Sequence, residues 1–148
     1  MFGIVGFIMI AIIMNSIISE ENTNIQADAE FGTKAKQVMA NATSQYPILM
    51  DGGFLFLLFG IWSWLIVSAM FIDTHPVFFF IGILAMILLV LLGANLANIY
   101  DDFINDDAQL STTAAQYTKT NFIMNHFLET ILVIIFSVSI VLFGKNRQ

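Results

Sequence analysis

The 148-residue chain has no cysteine, two prolines and only five lysines and arginines. Without cysteine there are no disulfides, no thiolate catalysis and none of the common zinc or iron–sulfur sites, and the redox compartment is left open. Charge of either sign is scarce, at 11% of residues, where ordinary soluble domains carry about 25%. What charge there is leans one way: eleven Asp and Glu give a net charge of −6. A chain with so little basic character cannot neutralise a run of phosphates, so nucleic acid binding is not expected. The excess lies in apolar side chains, at 58% of residues with a mean hydropathy of +0.84. That is the composition of an integral membrane protein rather than of a soluble domain.

Four stretches carry the apolar excess. Crossing about 30 Å of hydrocarbon takes about 20 helical residues at 1.5 Å each. Phe2 to Ile18 has no charge, and Phe54 to Ile72 has none over 19 residues. Val77 to Ala94 is continuously apolar and extends through Asn95 and Asn98 to Tyr100. The fourth run, Ile131 to Gly144, needs Phe127 to Thr130 to reach a spanning length. The expectation is an all-α fold with four transmembrane helices at about residues 2–19, 54–72, 77–100 and 127–144. The lipid bilayer is then the first partner. Ala27-Asp28-Ala29 has the form of a signal-peptide cleavage site, but no basic residue precedes the first run and the site lies too far beyond it. The first stretch therefore reads as a span.

Long polar links, residues 20–53 and 101–126, follow the first and third runs, and a tight turn joins the second to the third. The chain divides on this basis into two hairpins, 1–72 and 73–148. In the tight turn Asp73 or Thr74 can cap the third helix and Pro76 suits its first turn, with His75 as an interfacial loop residue.

The two links look like copies. The first reads Asp28-Ala29-Glu30-Phe31, then Ser44-Gln45-Tyr46 and Met50-Asp51; the second reads Asp107-Ala108-Gln109-Leu110, then Ala115-Gln116-Tyr117 and Met124-Asn125. The matches keep their order at shifts of 79, 71 and 74 residues, which two short length changes explain. An even number of spans separates the halves, so a duplication of a helix–polar link–helix unit would be parallel, with both links on one face of the membrane.

This reading nominates several residues. Glu20, Glu21, Asp28, Glu30, Asp101, Asp102, Asp106 and Asp107 are candidates for contact with a basic or cation-bridged partner. Tyr46 and Tyr117 are placed as membrane-interface anchors, each ending a weak apolar stripe (Val38, Met39, Ala42, and Leu110, Ala114). Gly82, Ala85 and Gly93 give the third helix a small-residue face for close packing, from which a homo-oligomer or lateral array is expected. Asn15 and Asn95, at matching depths, are candidates for a hydrogen bond across the bundle. Lys145 and Arg147 follow the last span directly, which favours termini on the cytoplasmic or luminal side.

Chemistry is thinly represented. Asp101, Asp102, Asp106 and Asp107 lack the alternation, central Gly and closing Glu of a calcium loop. His126 and Glu129 share a helix face, but the second Glu-bearing helix of a carboxylate-bridged metal site is missing. No catalytic, cofactor-binding or metal site is expected.

The run Asp73-Thr74-His75-Pro76-Val77-Phe78-Phe79-Phe80, the Ile/Leu-rich helix ending near Tyr100-Asp101-Asp102-Phe103, and Ala115-Gln116-Tyr117 with Phe122-Ile123-Met124-Asn125-His126 carry a resemblance. They resemble the small membrane proteins of tailless, internal-membrane-containing icosahedral phages and related environmental viruses. The resemblance covers roughly the last half of the chain and brings no catalytic residues. It implies a structural component of a virion's internal membrane, lying beneath the capsid and contacting capsid protein through its acidic links. Two other functions suit the size and composition: a holin-like lysis protein of the bacterial inner membrane, and a small accessory subunit of a transport or energy-transducing complex.

Overall fold

A computed structural model describes residues 2–71 and 76–145, with the side chains of that range except those of residues 2, 76–81, 83, 143 and 145. The chain is helical throughout this range: α1 (Phe2–Ala27), α2 (Thr33–Phe71), α3 (Pro76–Asn105), α4 (Ala108–Ala114), α5 (Thr118–Asn125) and α6 (Phe127–Lys145). Pro76 opens α3, as its missing N–H allows. The expected caps Asp73 and Thr74, the loop residue His75, and Arg147 lie outside the described residues.

The four long helices close a ring in which α1 packs on α2, α2 on α6, α6 on α3 and α3 on α1. Its core is Ile4, Val5, Ile8, Ala11, Ile12, Phe54, Leu58, Leu96, Tyr100, Phe127, Ile131 and Ile134, all buried. Three helices are long and apolar enough to cross a membrane, and four if the bent pair α5–α6 counts as one span. In the most apolar windows of α2 and α3 only 17% of the residues are buried inside the chain. Large side chains such as Phe56, Trp64, Leu84 and Leu91 face outward on these helices, and Phe136 does so on α6. Contiguous apolar surface on this scale has no place in water and is compatible with an integral membrane protein.

The first polar link differs from the expectation. Residues 20–53 form no separate element: α1 continues to Ala27, a five-residue turn follows, and α2 starts at Thr33. At 39 residues α2 is about 58 Å long, nearly twice the hydrocarbon thickness. Its polar N-terminal half and the end of α1 therefore form a projecting two-helix stalk. On α1 the buried and half-buried positions Ile4, Ile8, Ala11, Asn15, Ile18, Asn22 and Ile25 alternate in steps of four and three. Lys36, Met39, Thr43, Tyr46 and Met50 do the same on α2. A mean spacing of 3.5 residues is the seam of a left-handed coiled coil. At the tip, Gln26 Nε2 donates to Lys36 O at 2.8 Å and Lys36 Nζ donates to Gln26 O at 2.9 Å. The apolar stripe expected on this segment is split accordingly, with Met39 and Tyr46 half-buried and Val38 and Ala42 exposed.

The second link, in contrast, is broken into α4 and α5, which lie across the bundle. α4 touches α1 and α3, and α5 touches α2, α3 and α6. Asp107 caps α4 by accepting from Gln109 N at 2.7 Å, and in the other link Asp28 accepts from Glu30 N at 2.8 Å. The two matched aspartates thus make the same local turn, although the helices beyond them differ.

Candidate functional site

The α4–α5 layer meets the long helices through a set of polar side chains, most of them buried. Asp51 lies on α2 just before its apolar run and is 6% exposed. Its Oδ1 accepts from the backbone N–H and the hydroxyl of Thr120, both at 2.7 Å, and its Oδ2 accepts from Lys119 N at 3.2 Å. Lys119 and Thr120 belong to the first turn of α5, whose amides have no partner within the helix. The preceding residue, Tyr117, supplies no side-chain cap. Asp51 is therefore an N-cap supplied from another helix, and its charge also complements the positive end of the α5 dipole.

Three further ties surround this one. Tyr100 of α3 donates its hydroxyl proton to Asn121 Oδ1, and Asn121 Nδ2 donates to Ala114 O at 2.7 Å. Tyr117 is fully buried and donates to Ala11 O on α1 at 3.1 Å. Asn15, 1% exposed, donates from Nδ2 to Gln116 Oε1 at 3.2 Å, while its own Oδ1 has no partner. Burial raises the Tyr117 phenol well above the ordinary tyrosine range, with smaller contributions from Tyr46, Asp51 and Tyr100 nearby. The arrangement fixes the position of α5. It holds no nucleophile paired with a base, and among the described residues no three His, Cys, Asp or Glu side chains converge as metal ligands would.

The nominated residues are distributed as follows. Glu20, Glu21, Asp28 and Glu30 are exposed on the stalk and its tip, and Asp101, Asp102, Asp106 and Asp107 are exposed around the α3–α4 turn. Tyr46 is half-buried against the stalk seam. Tyr117 is not an interface anchor, because its ring is enclosed in the protein and its hydroxyl is used internally. Asn15 and Asn95 do not meet. Asn95 is exposed and donates to Leu91 O of its own helix at 2.8 Å. The small residues of α3 do not share one open face: Ala85 is exposed and Gly82 has open space around it, but Gly93 is buried where a Cβ would strike Ile131 Cδ1 of α6. Gly93 serves the close approach of α3 and α6 within one chain. Glu129 is exposed in the first turn of α6.

Asp51, Thr120, Asn121, Gln116 and Tyr100 were not nominated from the sequence as a site. The available signal was a single carboxylate next to the apolar run of α2, where an ionisable residue has to find a partner. The partners are backbone amides, which no residue pattern announces. Comparison with protein-family models, with curated proteins and with solved structures finds no match.

Proposed function

We propose that this is a non-enzymatic structural protein that crosses a bilayer four times and presents acidic elements to a basic partner on one side of it. The observation that carries this reading is the common placement of two acidic turns. α1 and α3 both meet the α4–α5 layer in their C-terminal parts, through Asn15–Gln116 and Tyr100–Asn121, so the stalk and the α3–α4 turn lie toward the same end of the bundle, and all eight nominated carboxylates there are exposed. A rigid base supports that placement, since the Asp51, Tyr100 and Tyr117 ties fix α4 and α5 against the helices that carry the stalk. The similar Asx turns at Asp28 and Asp107 favour a parallel duplication as the origin of the two elements.

The resemblance to internal-membrane phage proteins supports a place in the internal membrane of a virion, with capsid protein as the proposed partner. Two presenting elements per chain suit a repeated lattice. Lateral association of copies through the open part of α3, around Gly82 and Ala85, would fill the membrane beneath the shell. No cofactor and no nucleic acid enter this role.

The test is to purify the particles and identify their membrane proteins by mass spectrometry. Recovery of this chain from washed particles supports the structural role. Its absence from particles, with accumulation in the infected cell's inner membrane, would transfer the reading to a holin-like lysis protein. Co-purification with transporter subunits would transfer it to an accessory subunit.

A further inference from the structure

The bend between α5 and α6 traces to no proline or glycine, and a local group that reaches the backbone ladder is the His126 ring, whose Nδ1 lies 3.0 Å from Phe122 O. The two helices meet at 75° across His126, and sharp kinks ordinarily trace to Pro, to Gly/Ser pairs or to a group inserted in the ladder. Residues 115–130 contain no Pro, Gly or Ser, and no described residue has a positive φ. His126, between the two helices, leaves the helical basin at φ −115 and ψ 32. The chain also provides its own comparison. The segment of α2 that carries the matched Tyr46 and Met50-Asp51 is helical although it contains Pro47, but it is three residues shorter between those matches than Tyr117 to Met124.

A contact made from outside also acts on α5. Asp51 holds the first turn of α5 through three hydrogen bonds, and Thr120 between them is completely buried. Straightening would restore the i→i−4 backbone bonds that the break at Asn125–Phe127 interrupts, and it would expose Tyr117 and Met124. The Asp51 contact opposes that straightening, together with the Tyr100–Asn121 and Tyr117–Ala11 bonds. We propose that Asp51 is a latch that holds α5 across the bundle, and that its release lets α5 and α6 run on as one helix from Thr118 to Lys145. That helix, about 42 Å long at 28 residues, exceeds the hydrocarbon thickness and carries α5 out beside the stalk. The latch rests on this geometry and holds in whichever membrane the protein resides.

The chain lacks native cysteine, so nitroxide labels on Thr118→Cys and Ile140→Cys, both exposed positions, report the bend directly. Double electron–electron resonance is measured on the full chain in lipid nanodiscs. With a 75° bend against a straight axis, the separation lengthens by about 6 Å on straightening. Asp51→Leu, which removes the acceptor and keeps the branched shape, is expected to move most of the population to the longer distance with helical circular dichroism unchanged. Thr120→Val, a milder change, is expected to move part of it. An unchanged distance in Asp51→Leu would overturn the latch. So would a broad distribution with loss of helicity, because α5 would then unfold rather than join α6.

Discussion

The backbone amide and the hydroxyl of Thr120 both donate to the same oxygen of Asp51, each at 2.7 Å, across the contact between α5 and α2. One carboxylate thereby anchors a whole layer, because α5 follows α4 after three residues on one side and leads into α6 on the other. Hydrogen bonds to a charged group contribute about 1.5–3 kcal/mol, more than neutral pairs. Thr120→Val removes one of these bonds at a fully buried position and should cost about 2 kcal/mol. Thr118→Val, one turn position away and exposed, should stay within about 0.5 kcal/mol. Reversible unfolding in mixed micelles, followed by tryptophan fluorescence, measures both.

Gly93 is the point of closest approach between α3 and α6. An added methyl would meet Ile131 Cδ1, a buried side chain with no exposed surface to move into. Gly93→Ala should therefore lower stability by about 1–3 kcal/mol, as overpacking does. Ile131→Ala in the same chain should recover part of that loss, giving a coupling above about 0.5 kcal/mol in a double-mutant cycle. If Gly93 served an interface between copies instead, Gly93→Ala would shift the oligomer distribution and leave the folding of the single chain alone.

Asn15 presents the opposite case. Its Oδ1 is buried without a partner, and the one bond it makes runs to Gln116, which is exposed and can turn to water. Replacing a half-satisfied buried amide by an apolar group of similar size is nearly neutral or stabilising. Asn15→Leu should change stability by less than about 1 kcal/mol, and a thermal unfolding midpoint at or above that of the parent chain is the expected reading.

Tyr117 gives the fold an alkaline limit. Burial raises its folded-state pKa, with Tyr46, Asp51 and Tyr100 adding to the effect, so the folded chain holds the phenolic proton more tightly than the unfolded chain does. That contribution is complete below the ordinary tyrosine pKa of about 10 and is lost as pH rises through the folded value. Stability measured from pH 8 upward should stay level until about 10 and then fall. Tyr117→Phe, which loses only the bond to Ala11 O, should flatten the fall at a cost of about 1 kcal/mol at neutral pH.

Much of the helical architecture was legible because hydrophobic runs at membrane length are long-range, low-resolution signals. The four apolar stretches do fall within the four long helices over the described residues. The links themselves were not legible. Residues 20–53 show in sequence only a weak apolar stripe ending at Tyr46, because their polarity masks a 3.5-residue repeat in which Asn22, Thr43 and Lys36 occupy seam positions. Tyr117 was misplaced for a related reason. A tyrosine before an apolar run suits a membrane interface, and only the tertiary contact with Ala11 shows that the ring is enclosed. Asp51 escaped because its partners are main-chain amides from a segment 68 and 69 positions away.

The two acidic turns should act together. Exposed ion pairs contribute about 0–1 kcal/mol each, so neutralising Asp101, Asp102, Asp106 and Asp107 at once should weaken attachment of capsid protein to membranes containing this chain more than any single change. Attachment should also weaken as salt is raised, since exposed charges are screened within about 10 Å at 0.1 M. Co-flotation of capsid protein with proteoliposomes across a salt series measures this.

The account stands on the placement of both acidic turns on one face of a membrane and the termini on the other. Single cysteines can be introduced one at a time as Glu30→Cys, Asp107→Cys and Gln148→Cys in a chain that has no native thiol. Sealed vesicles are then treated with a membrane-impermeant maleimide before and after permeabilisation. Residues 30 and 107 should share one pattern of labelling and residue 148 should show the reverse. Labelling of 30 and 107 from opposite sides, or of 148 from the same side as both, would contradict the four-span arrangement on which the proposed role depends.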